Sequence, residues 1–329
     1  MSGWTVLDLL PGLYVLLLGA GLAVLLRRWY DPVPWRVLAV FGLLLVLLFG
    51  RVLFGGGVLL PLGNLVGFYP FRQLPPPDPP TVVLQGDLIH QITPWIVEVR
   101  RALQAGHWPL WNAHGGAGMP LLADPQSQAF QPLVAAAYPF PIAAAVGVTA
   151  ALRVLLALVF SFLLLRRLGL SEPAALGGSL AFGLGGFMML WLGWPIANCA
   201  AWLPVVLYGV ARCDREGAES RRDLVLLSVA MAGLLLAGHP EVMLYGLGFA
   251  GLFLLARVRR RRRSGGGRLL VRCGLAMALA GGLASPVLLP AIEYLPATER
   301  AAVVLATMPE TSLRELWQEL KDPKARERW

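Results

Sequence analysis

Eight apolar runs, near residues 5–26, 37–54, 147–165, 174–192, 196–211, 223–238, 241–256 and 273–290, limit what this chain can become. A bilayer crossing needs about 20 apolar residues in a helix, and each run approaches that length. In lipid every backbone polar group must be satisfied within its own segment, which leaves helices or a closed barrel. The runs are continuous rather than alternating, so helices are expected. Only 14% of the residues are charged, against roughly 25% in soluble domains. The fold class is therefore all-α: a polytopic integral membrane protein with about eight transmembrane helices.

The basic residues orient it. Arg27, Arg28 and Arg36, then Arg166 and Arg167, then Arg212, Arg215, Arg221 and Arg222, then Arg257 through Arg263 with Arg268 and Arg272 occupy alternate loops. These hold more than half of the 28 Lys and Arg, and the positive-inside rule makes such loops cytoplasmic. Both ends of the chain and the long loop containing Gln85 are then expected outside. A net charge of +9 could suggest nucleic acid. The run RVRRRRRSGGGR lies between two spans, however, where it reads as a topogenic loop that binds lipid headgroups. No nucleic-acid partner is expected. Residues 9–26 resemble a signal-peptide core, but Arg27 and Arg28 follow it rather than precede it, so an uncleaved anchor is expected. Cys199, Cys213 and Cys273 are scattered without metal-ligand spacing.

Four regions follow: two helices in 1–54, an outer loop in 55–146, a six-helix bundle in 147–290, and a tail in 291–329. The loop is chemically unlike its surroundings. QLPPPDPP should be a stiff extended spacer. Leu88, Ile92, Trp95, Ile96 and Val99 recur at helical spacing from Asp87 to Leu103, with Pro94 expected to kink or divide that helix. GGAGMP is a glycine loop that lets backbone approach a ligand closely. In ADPQSQAF, Asp124 suits an N-cap with Pro125 at the first helical position. VAAAYPFPIAAAVGV reads as an interfacial or re-entrant segment. LGWP and AGHPE form outer turns between helices, and the tail ETSLRELWQELKDPKARERW has amphipathic helical character.

Asp87 leads the candidate chemistry, because a carboxylate just above the bilayer can take a proton from an attacking hydroxyl. Alternatively it only starts the helix. His90 and Gln91 follow one turn later. Asp124 is a candidate ligand or a plain cap, and Gln126 accompanies it. His107, His114 and His239 are candidate donors or structural groups. His239 shares its outer turn with Glu241. Arg153 is the base placed deepest in a span, where charge is costly and points to function. It could pair with a lipid phosphate, or lie near the headgroups and snorkel. Trp108, Trp111, Trp191 and Trp194 suit an aromatic belt, although sugars also stack on such rings.

Several of these segments together resemble one family. The order GD-x-x-x-Q-x-x-P (Gly86 to Pro94), R-x-x-L-x-x-G-x-x-P-x-WN (Arg100 to Asn112), GGAGMP-x-x-ADPQ-x-x-x-F-x-P, AGHPE-x-x-x-Y and LLPAIEY-x-x-x-x-ER is similar to YfhO-type bacterial membrane proteins, from about Gly86 to Arg300. Such proteins are similar to GT-C class glycosyltransferases. The resemblance implies a GT-C-like fold with a long first extracytoplasmic loop in the bacterial cell (inner) membrane. It also implies a polyprenyl-phosphate sugar donor and a cell-envelope polymer or lipid acceptor. By position Asp87 becomes the catalytic base, with His90 and Gln91 beside it. Trp111, Asn112, Asp124, Gln126, Arg153, His239 and Glu241 become candidates for binding donor or acceptor. The departing phosphate needs a cation, from Arg153, His239 or a divalent metal; Asp87 and Asp124 are the candidate metal ligands.

Two departures accompany the match. An extra span, 5–26, precedes the first outer loop, and family members extend well beyond this length. The leading expectation is a membrane glycosyltransferase, and the alternative is a non-catalytic scaffold or truncated member. A lipid or solute transporter ranks lower, since it would favour polar groups inside the spans.

Overall fold

The computed structural model describes residues 6–73, 85–214, 220–261 and 265–298. The proline spacer from Leu74 to Pro80, Arg215, part of the basic run, Glu299 with Arg300, and the amphipathic tail lie outside the described residues.

Long apolar helices dominate. α1 (Val6–Trp29) and α2 (Trp35–Leu53) form a hairpin. After the loop come α5 (Ile142–Arg167), α6 (Glu172–Gly183) with the short α7 (Gly186–Leu190), α8 (Pro195–Cys213), α9 (Ser220–Leu235), α10 (Pro240–Arg260) and α11 (Gly266–Tyr294). The loop itself contributes α3 (Thr93–Gln104), the single turn α4 (Pro132–Ala135), and two two-residue strands, β1 (Trp111–Asn112) and β2 (Met119–Pro120). The all-α polytopic expectation holds.

Among the described residues seven segments are long and apolar enough to cross a membrane. The eighth expected span, 223–238, falls on α9, of which 16 residues are described. At one end Asp223 pairs with Arg212 of α8, and beyond the other end the Ala237 carbonyl accepts from Asn198 of α8. Equal numbers of residues separate Asn198 from Arg212 and Asp223 from Ala237. The two helices therefore traverse the same thickness antiparallel, roughly 21 Å at 1.5 Å per residue.

Two helices form the centre. The apolar windows of α5 and α8 are 89% and 94% buried, whereas that of α10 is 11% buried. The outer helices turn apolar side chains outward, including Leu17, Leu47, Leu252 and Val271. A water-facing surface rarely carries so large an apolar area; hydrocarbon is its natural solvent.

Some boundaries move. α5 starts at Ile142 rather than near residue 147, because Pro141 sets its N-cap and the helix needs no further break. The VAAAYPFP stretch is the single turn α4 followed by further turns, so no re-entrant helix forms there. α11 begins at Gly266 and takes in Arg268 and Arg272 from the expected basic loop. The expected span 174–192 breaks between α6 and α7. There Gly183 leaves room for Leu158, whose Cδ2 lies 2.6 Å from where a Cβ would stand.

The arginine-rich ends of the helices are held by ion pairs. One Asp31 carboxylate oxygen accepts from Tyr208 Oη at 2.7 Å and lies 2.9 and 3.1 Å from Nη1 of Arg167 and of Arg212. Asp214 lies 3.0 Å from Arg257 and 2.6 Å from Arg261. Burial works against ionisation of Asp31, but the Tyr208 hydroxyl and the two guanidinium groups outweigh it and lower its pKa. A depressed carboxylate stabilises the fold above its unfolded-state value and loses that contribution as pH falls through the folded value. Thermal stability in detergent should therefore decline below about pH 4. An Asp31→Asn variant should show a shallower decline in a melting-temperature series across that range.

Candidate functional site

Pro94 shapes the first part of the loop. It has no N–H to donate, and the chain before it widens into a π-helical turn, Leu88–Ile92, closed by Thr93 N donating to Leu88 O. α3 then runs on with Pro94 in its first turn, so the expected division of the helix is present. Its inner face, Trp95 and Val99, packs with Leu121, Leu122 and Ala129 of the loop and Val287 of α11. That small core fastens the loop to the bundle.

The glycine loop has a different use from the one expected. Gly116, Ala117 and Gly118 take positive φ, closing the hairpin between β1 and β2. A Cβ at Gly118 would lie 2.7 Å from the Trp111 ring, so the glycine seats that indole. Asn112 is buried, and its Oδ1 accepts from His114 N at 2.9 Å. Trp111 and Asn112 thus build the hairpin and do not line the cleft described below. Trp108, which is exposed, stands edge-on to Phe130, and Trp191 edge-on to Trp194. His114 Nδ1 lies 3.3 Å from Glu98, and the exposed His107 donates its backbone N–H to Ala102 O.

Asp124 is the N-cap of a short turn, Pro125–Ser127, its carboxylate accepting from Gln126 N at 2.9 Å. Gln128 follows at φ 56°, one of only two non-glycine residues with positive φ among the described residues. Such strain persists where surrounding structure over-determines it. Here Gln128 is driven inward, with 2% of its surface exposed.

Gln128 meets Arg153 there. The guanidinium is buried and makes three hydrogen bonds: Nε to Asn198 Oδ1 at 2.7 Å, Nη1 to Leu192 O at 2.6 Å, and Nη2 to Gln128 Oε1 at 3.0 Å. Asn198 Nδ2 in turn donates to Gln128 Oε1 at 2.7 Å and to Ala237 O at 3.0 Å. The cluster thus joins the loop, α5, α8 and the two interhelical turns. Arg153 does not snorkel. It lies level with the ends of α8 and α9 because α5 continues three turns beyond them, with the loop folded against it.

The AGHPE turn closes the cluster from the side. Gly238 has φ 89°, and a Cβ there would lie 2.8 Å from Gln128 Cγ and 2.9 Å from Pro125 O. Gly238→Ala should cost about 1–3 kcal/mol through strain and overpacking. Gly248→Ala on an open face of α10, with nothing within 4 Å, should be neutral or slightly stabilising. Paired melting curves in detergent check this. His239 caps α10, its Nδ1 accepting from Val242 N at 3.3 Å, and Glu241 accepts from Tyr245 Oη at 2.7 Å. Both candidates serve the start of that helix.

A narrow cleft, partly open to solvent, lies between the π turn and α5. Its walls are mainly apolar, from Leu60, Leu88, Ile92, Ile96, Val134 and Ile142, with Arg153, Thr93, Thr149 and Tyr138 as the polar groups. Tyr138 donates to Ala129 O at 2.8 Å, and burial raises its phenol pKa, so it remains a neutral hydroxyl. Asp87 immediately precedes Leu88. It is exposed, with no hydrogen-bond or ion-pair partner among the described residues. His90 is exposed against Phe68, ring centroids 4.2 Å apart, and Gln91 is half-buried beside it. Among the described residues no group of three or more His, Cys, Asp or Glu is gathered as a metal site, so Asp87 and Asp124 join none.

The family model for bacterial membrane protein YfhO matches residues 57–314, most of the chain. The protein belongs to the YfhO family. No curated protein and no solved structure matches it. The matched span contains the loop, the cleft and the Arg153 cluster, and it places this chain among bacterial membrane proteins.

Gln128 and Asn198 are the residues that sequence reasoning missed. Their signal was available in part: Asn198 is an amide inside the apolar run PIANCAAW. Polar groups within spans are rarer than in soluble helices and warrant a partner search. Ranking a transporter lower for want of polar groups inside the spans overlooked it.

Proposed function

We propose that this protein is a membrane glycosyltransferase that moves a sugar from a polyprenyl-phosphate donor to a cell-envelope acceptor. The observation that carries this reading is the cleft: apolar along its walls, with a buried guanidinium that has no carboxylate partner among the described residues, and Asp87 on the turn that roofs it. An apolar chain and an anionic headgroup together match that lining. Arginines crowd the opposite face, which supports an extracytoplasmic position for the loop. The apolar outer surface supports residence in the inner membrane.

In the proposed reaction an acceptor hydroxyl oxygen bonds to the anomeric carbon as the bond from that carbon to the phosphate oxygen breaks. The hydroxyl proton passes to the Asp87 carboxylate, and polyprenyl phosphate leaves with the electron pair. A single displacement inverts the anomeric centre. Arg153 stabilises charge building on the phosphate, at a position organised before reaction.

The test is transfer of labelled sugar from polyprenyl-phosphate sugars in membranes containing the protein. Transfer that requires Asp87 supports the enzyme. Folded protein that transfers nothing from any donor supports a scaffold.

A further inference from the structure

Among the described residues Arg153 and Arg212 are the two buried arginines, and their surroundings differ. At the opposite face Arg212, 7% exposed, faces Asp223 and Asp31, and the half-buried Arg257 faces Asp214. Arg153, at 2% exposed, is surrounded by three neutral oxygens: two side-chain amides and a carbonyl. A guanidinium has five N–H donors. Three are used here, leaving one on each terminal nitrogen, the number a bidentate anion requires. A buried cation without a counter-charge is costly, and an arriving anion removes that cost.

We propose that Gln128 and Asn198 are positioning residues for an anionic headgroup, holding the Arg153 guanidinium in place while leaving its charge uncompensated. The ligand class is a phosphate-bearing amphiphile, with its phosphate on Arg153 and its chain along Leu88, Ile92 and Val134 of the cleft. The proposal rests on reading the cleft as the donor site. The strained φ of Gln128 and the packing of Gly238 against its Cγ are the structure holding that amide in place. Asn198 fixes the same oxygen from α8 while its own Oδ1 takes Nε. A carboxylate at position 128 would bind the guanidinium at least as firmly, but it would neutralise the charge the ligand needs.

The test exploits this opposition. Full-length protein in detergent is titrated with a short-chain polyprenyl monophosphate, with the corresponding polyprenol, and with inorganic phosphate, and binding is read by calorimetry and by melting temperature. Wild type should bind the monophosphate well above the polyprenol. Gln128→Glu should melt at or above the wild-type temperature yet bind the monophosphate roughly tenfold or more weakly. Asn198→Asp should lose as much affinity but melt lower, because its second oxygen cannot donate to Gln128 Oε1 and Ala237 O. Gln128→Met, which loses the acceptor but adds no charge, should melt lower and lose less affinity. In Gln128→Glu a merely structural role would move melting temperature and affinity in the same direction.

Wild-type affinity in either carboxylate variant overturns the proposal. So does equal binding of polyprenol and monophosphate by wild type, or failure of both carboxylate variants to fold. Binding of inorganic phosphate with the same loss in the variants supports the positioning role with a free anion as ligand. No step of this assay needs sugar transfer. Monophosphate binding without transfer would therefore sink the glycosyltransferase reading alone, and transfer with unchanged affinity in the variants would sink only this proposal.

Discussion

Arg153→Met is expected to reduce sugar transfer by about 10²–10³-fold, the loss typical of removing a preorganised group that stabilises developing charge. The same change leaves Asn198 Oδ1 and Leu192 O without the donor that satisfies them, whereas Gln128 Oε1 keeps its bond from Asn198 Nδ2. Each orphaned buried acceptor costs about 1–3 kcal/mol. Removing a buried uncompensated charge works the other way, so the melting temperature should fall by less than two orphaned acceptors imply. Arg153→Lys separates the two effects. It keeps the charge, but one ammonium cannot reproduce the planar fork that meets acceptors from three directions. Lysine should restore part of the activity and leave monophosphate binding clearly below wild type. Full activity in Arg153→Met, measured in membranes with matched protein levels, would remove Arg153 from the reaction.

Asp87→Asn is expected to lower transfer by about 10²–10⁴-fold, the usual contribution of a positioned general base. Asp87 is exposed and its carboxylate caps no backbone N–H, so the variant should fold with an unchanged melting temperature. This separates catalysis from stability more cleanly than any other site in the molecule. Donor binding should survive, because Asp87 faces the acceptor in the proposed reaction. A variant that transfers at the wild-type rate would dismiss Asp87 as the base. His90 and Gln91, on the same turn, would be next.

Reading the residues alone reached the helices because their driving force is local. An apolar run such as 5–26 or 241–256 must satisfy its own backbone in lipid, whatever its neighbours do. Local chemistry also made the Asp124 cap and the division at Pro94 legible, since each depends on residues within a turn. The pairing of α9 with α8 was not legible. Asp223 meets Arg212 and Ala237 meets Asn198 across two helices, contacts that no local pattern records. The hairpin was likewise opaque. GGAGMP has the same composition whether its glycines admit a ligand or seat Trp111.

The sequence by itself determined that this chain is an all-α membrane protein with a polar loop and arginines gathered on alternate connections. Hydrophobic length and charge distribution are sums over neighbouring residues, and they need no knowledge of packing. Only the tertiary structure decided that Arg153 is held by Gln128 and Asn198 rather than snorkelling. Those residues lie 25 and 45 positions away. They meet because the loop folds against the extended start of α5, while the helix hairpins bring Asn198 and Ala237 to the same level. A buried charge takes its character from the groups packed around it, and no local pattern records which groups those are.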